Sequence, residues 1–148
     1  MSLSVDVNVL VYATTELSPL HAQATRCLET CRTGADLFCL AWPTLMAYLR
    51  MVTHTAIVSP PLPPRKAEEN VEMLVRLPNV RLLAEQEGFW DLYRDSTRDL
   101  VVRGKLVPDA RLAVLLRQHG VRTLYTNDRD FLKFDFLEVR NPFAPPAQ

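Results

Sequence analysis

The sequence predicts a three-layer α/β/α domain built on a mostly parallel sheet of five strands. Three observations predict it. Short apolar runs rich in β-branched residues alternate along the chain with longer stretches of helical spacing, the pattern of βαβ units. The first run is apolar on both faces, as a central strand covered by helices on both sides must be. The 148 residues suffice for one compact domain with a real core.

Val5 to Ala13 is dense in Val, Leu and Tyr and reads as the central strand, with Asp6 inside it. Leu20 to Arg32 has helical spacing through Ala24, Cys27, Leu28 and Cys31, and Gly34 ends it. Asp36 to Ala41 is the second strand. Trp42-Pro43-Thr44 starts the next helix, with Thr44 as its cap, and the helix runs to about His54 while burying Leu45, Tyr48, Leu49 and Val52.

Residues 59–64, Ser-Pro-Pro-Leu-Pro-Pro, form a stiff polyproline-type connector. Arg65 to Leu77 resumes helical spacing, Val80 to Ala84 is the third strand, and Phe89 to Val102 is a helix ended near Gly104. Ala110 to His119 is a helix closed by Gly120. Thr123 to Thr126 and Leu137 to Arg140 are the last two strands, and a proline-rich tail over 142–148 stops regular structure. The whole chain, 1–148, reads as one domain without internal repeats.

Lysine plus arginine and aspartate plus glutamate each number 17, so no global field draws the chain to nucleic acid or to an acidic membrane. A nucleic-acid coat is disfavoured, whereas a nuclease needs only local charge and a metal. Cys27, Cys31 and Cys39 lack zinc-site or disulfide spacing and read as thiols of a reducing cytoplasm. No run has the length of a transmembrane helix and no secretory leader is apparent, so the expected location is cytoplasmic, without a membrane partner.

The chemistry is carried by aspartates at the edges of apolar elements. Asp6 lies in the first run, Asp109 opens a helix, and Asp128 and Asp130 follow the strand at Thr123 to Thr126. A carboxylate within an apolar strand is costly unless a cation or a donor compensates it. Ligands of parallel α/β sheets bind beyond the carboxyl ends of the strands, where such residues can converge. Magnesium and manganese take oxygen ligands, so Asp6, Asp109 and Asp128 are the candidate metal ligands. Asp130 is either a further ligand, a holder of metal-bound water or a cap for the Phe131 segment.

Asp109 has a competing reading as a helix cap, and Asn127-Asp128 as a turn. Asn8, Thr126 and Asn127 are short polar groups suited to support the acids. Arg50 either holds a phosphate or pairs with a carboxylate. Arg111, Arg129 and Lys133 surround the acidic segments, where they are either solvated charges or contacts to a nucleic-acid backbone. The three histidines read as helix-end residues. No P-loop, dinucleotide fingerprint or Gly-x-Ser-x-Gly occurs.

Three segments, Asp6-Val-Asn-Val-Leu-Val-Tyr12, Leu106-Val-Pro-Asp-Ala-Arg-Leu-Ala113 and Thr126-Asn-Asp-Arg-Asp-Phe131, resemble those of PIN-domain ribonucleases, and in particular the VapC-like toxins of bacterial type II toxin–antitoxin modules. Trp42 to Thr53 and Arg140-Asn-Pro-Phe143 are similar to a mycobacterial-type branch. The resemblance implies a PIN-like five-stranded parallel sheet and Mg²⁺- or Mn²⁺-dependent endonucleolytic cleavage of RNA. It also implies a cognate antitoxin that occupies the cleft, and a homodimer. By position, Asp6, Asp109 and Asp128 match the acidic metal-site residues, and Asp130 an accessory acid.

One departure stands out. Many PIN domains carry a glutamate in the second helix where this chain has Ala47. Two rivals follow from the residues: a catalytically inactive PIN-like module that binds RNA or protein, and an aspartate-nucleophile phosphatase using Asp6. The second lacks the usual Asp-x-Asp pair, because Asn8 stands in the second place.

Overall fold

In the computed structural model, which describes residues 1–144, five parallel strands lie between two layers of helices. The elements are β1 (Ser2–Val5), α1 (Val7–Thr14), α2 (His21–Thr33), β2 (Leu37–Ala41), α3 (Trp42–Val52), α4 (Pro64–Val75), β3 (Val80–Leu83), α5 (Phe89–Ser96), α6 (Leu106–Gln118), β4 (Thr123–Tyr125) and β5 (Glu138–Arg140), with a 3-10 turn over Arg129–Lys133. The strand order is β3-β2-β1-β4-β5.

That order positions the site. From β1 the chain steps outward to β2 and β3, then crosses back through α5 and α6 to lay β4 on the other side of β1. The direction of winding therefore reverses between β1 and β4, and the crevice of such a sheet opens at the carboxyl ends of those two strands. The register sets Val5 beside Tyr125, so the residues that follow each strand, Asp6 and Thr126, emerge at one level.

Side chains alternate across the sheet, as a strand's period of two requires. Val5, Phe38 and Leu40 face the layer of α1 to α4 and pack with Leu10, Leu45, Tyr48 and Val71. Cys39, Ala41, Leu83 and Leu124 face the opposite layer and pack with Leu112, Leu115, Leu116 and Phe131. Fully burying one such leucine is worth about 1.5–3 kcal/mol, so the two cores hold the sheet between its helix layers. The cysteines are unbridged, with Cys31 and Cys39 buried and Cys27 half-buried.

The apolar run from Val5 to Ala13 is not one strand. The strand ends at Val5, Asp6 is the extended cap residue with φ −80 and ψ 160, and α1 begins at Val7. An apolar run of this length fits a buried helix as well as a strand. The Asp6 carboxylate decides between them by accepting from Val7 N at 2.7 Å.

Other boundaries shift for local reasons. Ala41, not Thr44, is the N-terminal cap of α3, because Pro43 fits the first turn without needing an N–H, and Thr44 is buried. Pro64 leaves the connector to begin α4 for the same reason, and the Ser59–Pro60 peptide is cis. The helix expected over Phe89 to Val102 stops at Ser96, where the Thr97 hydroxyl donates back to the Tyr93 carbonyl at 2.8 Å, and the β-branched pair Val101-Val102 does not extend it. Pro142 to Ala144 lies in a turn and bend; the rest of the proline-rich tail is outside the described residues.

Candidate active site

Asp6 is 8% exposed, and both of its carboxylate oxygens are engaged: Oδ1 accepts from Val7 N, and Oδ2 accepts from the Thr126 hydroxyl at 2.8 Å. Thr126 is buried one residue beyond β4, and its hydroxyl also accepts from Asp128 N at 3.0 Å and from Asn8 Nδ2 at 3.3 Å. Asn8 further donates to Asn127 Oδ1. A lattice of short polar side chains thus ties the start of α1 to the loop after β4. Asp128 Oδ1 accepts from Asp130 N at 2.9 Å and so caps the 3-10 turn, the role the sequence offered to Asp130.

Asp109 comes in from α6. That helix begins at Leu106, earlier than its apolar pattern indicates, so Asp109 sits inside the first turn and is not the cap; Lys105 holds that position without a side-chain capping bond. Capping therefore does not account for Asp109. Asp109, Asp128 and Asp130 each bring a carboxylate oxygen within 4.8 Å of the others.

Like charges this close disfavour ionisation. Burial, followed by repulsion from Asp128, Asp6 and Asp130, pushes the Asp109 carboxyl up to about 7, and Lys105 opposes the shift in part. Burial also raises Asp6, against the hydrogen bonds from Thr126 and Val7, and Asp128 adds to the rise. A divalent cation would relieve this stored repulsion. An all-oxygen, all-carboxylate donor set fits magnesium or manganese rather than a softer metal.

The four aspartates therefore meet, with Asp109, Asp128 and Asp130 in the tightest group and Asp6 coupled to them through its charge. Asn8, Thr126 and Asn127 bond to one another and to the Asp128 backbone beside them. Arg50 does not join: it is exposed on α3, and among the described residues its side chain makes no hydrogen bond or ion pair. Arg111 is tied instead to Glu85. Lys133 pairs with Asp130 at 3.4 Å.

Lys105 was missed by sequence reasoning, although its spacing of four from Asp109 places the two on one side of a helical turn. The histidines stay out of the cluster. His21 and His119 bond the carbonyls of Tyr12 and Ala84, and His54 Nδ1 accepts from Ala56 N.

A five-stranded parallel sheet between two helix layers, with carboxylates gathered at its winding switch, is a PIN-like α/β/α arrangement. No family model matches the chain. It is 44% identical over 144 residues to ribonuclease VapC48 of Mycobacterium tuberculosis, covering 97% of this chain and 99% of that protein. It is 31% identical to ribonuclease VapC43 of the same species, over 95% of each. The chain belongs to the VapC ribonuclease family.

Among solved structures the fold is similar to that of Mycobacterium tuberculosis VapC20, described as a sarcin-ricin loop cleaving toxin. The TM-score is 0.69 and the identity 17%, over 93% of this chain and 98% of that one. It is also similar to the VapBC2 structure from Rickettsia felis bound to a promoter DNA fragment, with a TM-score of 0.68 and 16% identity over 95% and 98%.

Proposed function

We propose that this chain is a metal-dependent endoribonuclease and the toxin of a type II toxin–antitoxin module. The observation that carries the reading is the meeting of Asp109, Asp128 and Asp130, with Asp6 beside them, at the switch point of the sheet. The ribonuclease names of its relatives support an RNA substrate. A selective target finds support in the sarcin-ricin loop cleavage stated for VapC20.

In this reading Asp6, Asp109 and Asp128 hold Mg²⁺ or Mn²⁺, and Asp130 orients a water at the site. A bound divalent ion would acidify a coordinated water and offset charge on the phosphoryl oxygens. Thr126 keeps the Asp6 carboxylate in place, and Asn8 and Asn127 brace the loop that carries Asp128. Hydrolysis adds one water across a P–O3′ bond and leaves a 3′-hydroxyl and a 5′-phosphate. Arg50, exposed on α3, is available to an RNA phosphate.

The partners proposed with this activity are a cognate antitoxin over the cleft and a second copy in a homodimer. Residues 1–148 act as one domain in the cytoplasm. Among the described residues no helix is long and apolar enough to cross a membrane. Ala47 favours the one rival worth keeping, a PIN-like binding module without turnover.

Incubating a pool of transfer and ribosomal RNA with antitoxin-free protein, in manganese and in chelator, separates the two. Discrete fragments that need metal and disappear in Asp6→Ala are the expected result. Intact RNA with folded protein in manganese would reject the enzyme and leave the binding module.

A further inference from the structure

Against the acidic cluster lies a concavity of about 330 Å³ lined by Thr126, Asn127, Asp128, Arg129, Leu132, Val139 and Asn141. Asp128 is the shared wall, so whatever fills this groove touches the candidate metal site. Its apolar side is made by Val139 of β5 and by Leu132, which is 60% exposed, a large aliphatic side chain turned to solvent beside charged residues.

The polar side chains have fixed senses. Asn127 Oδ1 already accepts from Asn8, which leaves the Asn127 amide nitrogen to donate. Asn141 Oδ1 accepts from Phe143 N at 2.9 Å, which leaves the Asn141 nitrogen to donate as well. Arg129 only donates, and it is exposed with no ion pair among the described residues. Apart from Asp128, the polar side chains at the rim other than Thr126 therefore offer N–H groups above an apolar surface. Thr126 has its hydroxyl committed to Asp6.

We propose that this groove is a base-binding subsite that takes the nucleobase adjoining the scissile phosphate and selects guanine over adenine. The proposal rests on the ribonuclease reading. Guanine presents O6 and N7 as adjacent acceptors, whereas adenine puts its N6 amino group where O6 would be and meets the groove's donors with a donor. A planar base also covers Leu132 and Val139. A phosphate would leave them exposed and set its charge against Asp128.

The test is a pair of amide NMR titrations of the full chain in magnesium, with guanosine 5′-monophosphate and with adenosine 5′-monophosphate. Shifts at Asn127, Leu132, Val139 and Asn141 are expected, with the guanine nucleotide bound about tenfold more tightly. Asn141→Asp, which exchanges the donors for a carboxylate at an exposed position, should erase that preference. Equal affinities, or shifts confined to other surfaces, would overturn the proposal.

Sequencing of RNA cut sites supplies a second readout. Guanine should exceed adenine at one fixed position beside the cut in the natural chain, and the excess should vanish in Asn141→Asp. An unaltered cut-site profile in the variant overturns the subsite. A chain that binds the guanine nucleotide selectively in the groove but cuts no RNA would overturn the ribonuclease reading alone.

Discussion

Thr126 and Asp6, 120 positions apart in the chain, meet through a hydrogen bond of 2.8 Å in which the buried hydroxyl donates to the carboxylate. The same oxygen accepts from Asp128 N and Asn8 Nδ2, so its one proton and both lone pairs are used. Thr126→Val keeps the shape but strips Asp6 Oδ2 of its donor and leaves two N–H groups without their acceptor. Urea unfolding should show a loss on the order of 1–3 kcal/mol, the cost of leaving such groups unpaired. Thr126→Ser, which keeps the hydroxyl, should lose roughly 1 kcal/mol or less. Equal losses in the two variants would mean that packing, and not the hydroxyl, matters at this position.

The pH dependence of stability follows from Asp109. In the folded chain its carboxyl holds a proton up to about 7, against 3.8 for the ordinary group. Between those values the native state binds more protons than the unfolded one, so this group's contribution to stability falls as pH rises through the window and is lowest above about 7. Asp6, also raised, acts with the same sign. Metal-free protein should therefore lose stability as pH climbs from about 5 to about 8, and added Mg²⁺ or Mn²⁺ should raise the melting temperature more at the higher pH. Asp109→Asn should flatten the slope and shrink the metal effect. Thermal melts in which metal stabilises equally at both ends of the range would contradict a site built on Asp109.

Much of the layer architecture was legible because helices such as α2 and α4 carry regular apolar spacing, and because Gly34 and Gly120 mark helix ends. The aspartates were legible as charges out of place beside apolar runs. The junction at Asp6 was not, since nine successive largely apolar residues look alike whether they continue a strand or wind into α1. The early start of α6 was hidden by Pro108, which reads as a boundary but is tolerated in a first turn. The lattice around Thr126 and the pull of Lys105 on Asp109 depend on which side chains face one another. The Lys105 spacing alone left a trace in the sequence.

Ala47 tests how complete the ligand set is. It stands one turn past Pro43 on α3, a helix that leaves the carboxyl end of β2 and so starts at the edge of the sheet where the acids gather. Ala47→Glu is expected to add a carboxylate to that edge. Calorimetry should show Mn²⁺ binding roughly tenfold more tightly, as ligand charge count tunes such sites. The metal-free variant should also melt lower than the parent above neutral pH, because one more negative charge joins the repulsion. Unchanged affinity together with unchanged melting would place this side chain away from the cluster.

Asp6 serves two ends that substitution can separate. Its Oδ1 caps α1 through Val7 N, and its charge joins those of Asp128 and Asp109. Asp6→Asn retains a carbonyl oxygen for the cap and removes the charge. Asp6→Ala removes both and should cost about 1–2 kcal/mol through the lost cap. The asparagine variant gives up the Thr126 hydrogen bond but no longer buries a carboxylate, so it should unfold within about 1 kcal/mol of the parent. Both variants should fail to cut RNA and should show a weakened stabilisation by manganese. Should Asp6→Asn cut RNA at the parent rate with its manganese response intact, Asp6 would be only the cap of α1, and the proposed ligand set would reduce to Asp109 and Asp128.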